Sequence, residues 1–173
     1  MELKAYKFLV EIAGHPRERL GGKILQLLLA ITLNRIGYRV TRERLSQDVD
    51  ILMIGKRRTK YAVESKVTTK NHVSLGEKDI RGLKLAETDG YVPVLAALYI
   101  QDAGELWYMA SAKGTQPGTY DANWFRTRPF EQLQSDTRKE FLKVLYYMWP
   151  RVRDNPRPIP ILQQYLGIGK LIR

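Results

Sequence analysis

The chain of 173 residues predicts an α/β domain, a mixed β-sheet flanked by helices, with an extra helical region at its C-terminal end. Three observations carry that expectation. Leu20, Ile24, Leu27, Leu28 and Ile31 recur at helical spacing within residues 17–36. Two short apolar runs, 49–54 and 60–67, flank the basic turn GKRRT as the arms of a hairpin would. The stretch VPVLAALYI at 92–100 is almost continuously apolar, as expected of a strand covered on both faces.

Taken in order, the helix over 17–36 stops at Gly37, a residue suited to a helix C-terminus. A short extended piece, Tyr38–Val40, and the polar TRERLSQD lead into the hairpin. After a polar loop, Glu77–Asp89 reads as a helix with Ile80, Leu83 and Ala86 inward, stopped by Asp89-Gly90. The apolar strand follows, then a turn at Asp102-Ala103-Gly104 and a strand at 105–110, giving α-β-β-β-α-β-β over 17–110. Residues 1–112 are therefore expected to form the core domain, and 113–173 an extension packed on it. Within the extension, 113–119 reads as a loop and Pro129–Tyr147 as an amphipathic helix with Phe130, Leu133, Phe141, Leu142, Leu145 and Tyr146 at core spacing. Prolines at 150, 156, 158 and 160 predict an extended arm. The tail from Ile161 must pack on something or stay mobile.

Composition narrows the function. No apolar run approaches the ~20 residues of a membrane span, the N-terminal residues lack a secretory pattern, and there is no cysteine, so thiolate metal sites and cysteine nucleophiles are excluded. A cytoplasmic protein that binds no membrane is expected. Lys and Arg number 29 against 18 Asp and Glu, a net charge of +11, which is the electrostatic footprint of a nucleic-acid binder. The excess is distributed: 18 basic against 13 acidic residues in 1–110 (net +5), and 11 against 5 in 111–173 (net +6).

The chemistry-bearing stretch runs from Asp50 through Glu64-Ser65-Lys66. Side chains alternate along a strand, so Glu64 and Lys66 share one face while Val63, Ser65 and Val67 share the other. The hairpin brings Asp50 beside Glu64. Two converging carboxylates in an apolar sheet repel each other unless a hard divalent cation neutralises them, and Lys66 adds a positive charge where a phosphate would react. This is the equipment for phosphodiester hydrolysis. His15 and His72 are too few for a zinc site, neither Ser65 nor Ser111 has a nearby His–Asp pattern, and GIGK at 167–170 lacks the full phosphate-loop spacing. Trp107 and Tyr108 read as sheet packing.

The order IGYRV, VDILMIG, YAVESKVTTKNHVSLGEKDIRGLKLAETDGYVPVLAALYI, ELWYM over residues 18–110 resembles the PD-(D/E)xK nucleases, and among them the archaeal Holliday-junction resolvases. The resemblance implies a restriction-endonuclease-like fold and Mg2+ (Mn2+ substituting) held by Asp50, Glu64 and the backbone carbonyl of Ser65, with Lys66 catalytic. It also implies a glutamate on the first helix. Gln26 fits that spacing, four residues after Gly22 and eleven before Gly37, while Glu18 lies two turns earlier on the same side, so the role is open between Glu18 and Gln26. Val49 stands where the superfamily often has proline.

The implied activity is a Mg2+-dependent endodeoxyribonuclease acting on branched DNA in recombination or repair. It would work as a homodimer, because a junction has two like strands to cut; VPVLAALYI and the C-terminal helix are candidate interface material. Candidate DNA contacts are Lys56, Arg57, Arg58 and Lys60 in the hairpin turn, Thr68 and Lys70 after the Glu-x-Lys strand, Arg42, Arg44 and Ser46 before Asp50, and the stripe Lys78, Arg81, Lys84. Arg126, Arg128, Arg151, Arg153 and Arg157 could track the backbone farther away. Two alternatives stand beside this reading: a restriction-like or repair nuclease, and a DNA-binding or assembly protein that keeps the fold without cleaving.

Overall fold

A computed structural model describes residues 3–15, 20–43, 49–101 and 106–167. Helices α1 (Leu3–Ala13) and α2 (Leu20–Arg35) lead into strands β1 (Arg39–Glu43), β2 (Ile51–Ile54), β3 (Lys60–Thr68) and β4 (His72–Leu75). Helix α3 (Glu77–Thr88), strands β5 (Val92–Tyr99), β6 (Trp107–Ser111) and β7 (Gly118–Asp121), and helices α4 (Ala122–Arg126), α5 (Glu131–Val152) and α6 (Pro158–Tyr165) complete the order. The five-stranded sheet runs β1-β2-β3-β5-β6. Only its β3–β5 pair is parallel, bridged by the α3 crossover. The expected mixed sheet flanked by helices is thus the observed architecture.

Alternation along β5 divides the core. Val94, Ala96 and Leu98 join the layer beneath α1, α2, α5 and α6, while Leu95, Ala97 and Tyr99 join the layer beneath α3 and α4. With both faces covered inside one chain, VPVLAALYI is interior and offers nothing to a subunit interface, which corrects that part of the expectation. Helix α2 is likewise more central than a one-sided pattern implied: every residue from Ile24 to Leu33 is buried. It ends as expected at Gly37, whose φ of +97° lets the Tyr38 N–H turn back to the Leu33 carbonyl at 3.0 Å.

Helix α1, which precedes every element predicted from the sequence, crosses the start of α2 so closely that a Cβ on Gly21 would lie 2.1 Å from the Ile12 carbonyl oxygen. Gly21→Ala is therefore expected to lower stability by roughly 1–3 kcal/mol. Gly22→Ala, with open space around its Cβ, should be neutral or stabilising by about 0.5–1 kcal/mol. Chemical denaturation of the two variants checks the pair.

Three further expectations are corrected. The polar stretches at 68–76 and 113–119 are not wholly loop, because β4 and β7 pair as a separate two-stranded antiparallel sheet. Helix α5 does not stop at Tyr147 but runs through Pro150 to Val152. The exposed proline forfeits one backbone hydrogen bond near the helix end, and burial of Met148, Trp149 and Val152 around it offsets that loss. The proline-rich arm shrinks to a connector, since Pro158 and Pro160 lie in the first turn of α6, where an N–H has no intrahelical partner to lose. The segment after it packs through Leu162 and Leu166. Trp107 and Tyr108 are buried in the sheet as expected. Among the described residues, no helix is long and apolar enough to cross a membrane.

Candidate active site

The β2–β3 register aligns Ile51 with Val63, so Asp50 falls opposite Glu64, one step past the end of the shorter strand. There the Asp50 side chain takes the place of a missing ladder partner. Its Oδ2 accepts the Ser65 N–H at 2.9 Å and the Ser65 hydroxyl at 2.7 Å. Within a strand the N–H and C=O of one residue point the same way, so the Ser65 carbonyl is directed toward the Asp50 side of β3. From α2, Gln26 donates its Nε2–H to the Asp50 main-chain carbonyl at 3.2 Å. Asp50 is thus held through its carboxylate by Ser65 and through its backbone by Gln26.

Glu64 is 4% exposed, on the sheet face beneath α3. Lys66, two residues on and on the same face, places Nζ 2.8 Å from Glu64 Oε1 and 3.0 Å from Asp79 Oδ2. Burial, reinforced by the neighbouring Asp50 carboxylate, pushes the Glu64 carboxyl up from its ordinary 4.5 to about 8, against the opposing pull of Lys66. Burial alone would lower Lys66, but Glu64 and Asp79 outweigh it and its pKa is raised. Asp79 is held below its ordinary value despite partial burial, because it accepts the Gly76 N–H and faces Lys66.

These groups test the fit of a divalent metal. The donors are carboxylate oxygens of Asp50 and Glu64 and the carbonyl oxygen of Ser65, a hard set suited to Mg2+ or Mn2+. Glu64 is a buried carboxyl whose anion is disfavoured beside a second carboxylate, the electrostatic situation that a cation relieves. Among the described residues, no group of three or more His, Cys, Asp or Glu side chains is arranged to hold a metal. Glu18 lies outside the described residues, so of the two candidates for the implied helix residue Gln26, on α2, alone can be placed here.

The candidate DNA contacts divide by position. Thr68 ends β3 two residues beyond Lys66, and its Oγ1 accepts the Lys70 N–H at 2.9 Å, shaping a loop on the site's side. Lys78, Arg81 and Lys84 are exposed along α3, and Lys78 adjoins Asp79, so this stripe begins at the site. Lys56, Arg57 and Arg58 occupy the hairpin turn, where Ile54 pairs with Lys60. The turn is four residues, or about 13 Å, along β3 from Glu64, at the hairpin's other end. Backbone register sets Arg42 beside Leu52, and Arg44 and Ser46 lie outside the described residues. Asp79 is the site residue that sequence reasoning missed. No local pattern signals it, because Asp79 reaches Lys66 across the α3 crossover.

No protein-family model matches the chain, and no curated protein matches it in sequence. Among solved structures it is similar to a Holliday junction resolvase of the archaeal hyperthermophile Archaeoglobus fulgidus. The sequence identity is 18% and the TM-score 0.49, over 62% of this chain and 89% of that one.

Proposed function

We propose that the chain is a metal-dependent endodeoxyribonuclease that hydrolyses phosphodiester bonds, with branched DNA as its substrate class. The observation that supports this best is the meeting of Asp50, Glu64 and Lys66 at one end of the β2–β3 pair, with the Lys66 amine 2.8 Å from Glu64. Asp50, Glu64 and the Ser65 carbonyl would hold Mg2+ or Mn2+, with Gln26 of α2 or Glu18 as a further participant. The bound cation supplies an acidified water and charge neutralisation at the phosphoryl group. Lys66 contributes a fixed ammonium toward the non-bridging oxygens, where negative charge accumulates as water adds and the P–O bond breaks. The branched substrate rests on the resemblance of residues 18–110 to junction resolvases. Two copies acting together would match the two like strands of a four-way junction.

The α3 stripe would lie along the DNA backbone. Replacing Lys78, Arg81 and Lys84 together with glutamine is expected to weaken binding of a labelled junction at least ~10-fold at 100 mM salt. It should also flatten the slope of log K against log salt by about 2–3. Electrophoretic titration at several salt concentrations measures both.

A second reading is favoured by Gln26, whose neutral amide donates to the Asp50 carbonyl where the nucleases it resembles usually carry an acid: a protein that binds DNA without cutting it. Four-way junction, flap and plain duplex, each incubated with Mg2+, Mn2+ or EDTA, separate the two. Metal-dependent nicking supports the nuclease, and a preference for the junction supports the substrate class. A duplex preference instead points to a restriction-like or repair enzyme. Tight binding without nicking in any metal supports the non-cleaving protein.

A further inference from the structure

We infer that Asp79 is a positioning residue for Lys66, holding the amine in place when Glu64 is engaged by a cation; the assignment rests on the nuclease reading above. Lys66 Nζ sits between two carboxylates, Glu64 at 2.8 Å and Asp79 at 3.0 Å. The two partners differ in what else they do. Glu64 stands beside Asp50 and belongs to the proposed metal set. A carboxylate that shares its charge with a divalent cation attracts an ammonium less, and the cation itself repels the amine. With Glu64 as its one partner, Lys66 would then be left on a flexible four-carbon stem.

Asp79 is on a different element and is fixed independently. The same Oδ2 that faces Lys66 accepts the Gly76 N–H at 2.9 Å, as the third residue of the α3 capping arrangement. Helix α3 is in turn seated on the sheet through Ile80, Leu83 and Ala86. One oxygen therefore ties the start of α3, the Gly76 turn and the Lys66 amine together. A cap alone would not need its carboxylate aimed at β3. The arrangement gives the amine a partner that the cation does not take.

Asp79→Asn keeps an oxygen for the Gly76 N–H and removes the charge. Two readouts on the full chain test the role. The first is the acetylation rate of Lys66 by acetic anhydride, followed by mass spectrometry at saturating Mg2+ without DNA, with exposed Lys78 as internal reference. With the 3.0 Å contact to Asp79 lost, the amine on its flexible stem should be freer to react, and Lys66 modification should speed up about fivefold or more relative to wild type.

The second readout is single-turnover cleavage beside DNA affinity. The rate at saturating junction should fall roughly 10–100-fold, while Kd stays within about twofold. Asp79→Glu, which restores a carboxylate at the same helix position, should recover part of both losses. Unchanged labelling in Asp79→Asn overturns the assignment, and a fall in rate accompanied only by a lower Tm reduces Asp79 to a helix cap. Either result leaves the nuclease reading standing. A wild-type chain that cuts nothing in Mg2+ or Mn2+ overturns that reading instead, while the labelling result still shows whether Asp79 holds Lys66.

Discussion

Asp50→Ala and Lys66→Ala are each expected to reduce metal-dependent nicking of a four-way junction by about 10^2–10^3-fold while leaving junction binding within a few-fold of wild type. Each removes a different requirement. Without Asp50, one of the two converging carboxylates is gone and Ser65 loses the acceptor of both its N–H and its hydroxyl. Without Lys66, the reacting phosphoryl group loses a preorganised ammonium, and removal of one such electrostatic partner typically costs about 10^2–10^3 in rate. Binding is spared because affinity for DNA is dominated by phosphate contacts spread over many cations. Gel-resolved cleavage and filter binding on the same preparations check the split. Residual nicking within tenfold of wild type in either variant would remove that residue from the proposed chemistry.

Glu64→Gln is expected to do two things at once: abolish cleavage and make the metal-free protein more stable. The folded-state carboxyl titrates near 8 against an ordinary 4.5. Between those pH values the native state keeps a proton that the unfolded state has released. Stability of the metal-free protein therefore falls as pH rises from about 4.5 to 8 and levels off above. Glutamine removes that titration. At pH 8 the variant should gain about 4 kcal/mol, or roughly 8–16 °C in Tm for a chain of this size. Below pH 4.5 the difference should vanish. Mg2+ should raise the Tm of wild type, by binding the native state alone, and raise that of Glu64→Gln far less. Differential scanning calorimetry across pH, with EDTA and with Mg2+, measures each part. A variant no more stable than wild type at pH 8 would show that the burial of Glu64 carries no electrostatic strain.

Asp50, Glu64 and Lys66 could be found in the sequence because a hairpin is local: a short turn and a two-residue alternation determine which side chains meet. Asp79 could not, because its approach to Lys66 is set by how the α3 crossover lies on the sheet. The same divide runs through the fold. Ile80, Leu83 and Ala86 on α3 were readable from periodicity, and the doubly covered β5 from its nearly unbroken apolar run. By contrast, β4 and β7 are four residues each and pair across more than forty positions of chain, beyond the reach of any local pattern. Pro150 misled because proline is read as a terminator, whereas Trp149 and Val152 have enough apolar surface to continue the helix past it. Pro158 and Pro160 misled for the opposite reason, since a helix start tolerates the missing N–H that a helix middle does not.

The pairing of β4 with β7 bears on how this protein can be shortened. His72 through Leu75 follow directly from the strand that carries Glu64 and Lys66, and they find their ladder partners at Gly118 through Asp121. A fragment ending at 112 would leave the backbone of β4 without that partner, just upstream of the turn that presents Asp79. It would also uncover the side of α2 that α5 and α6 shield. Laboratory truncations that seek a minimal folded unit should therefore retain the C-terminal third.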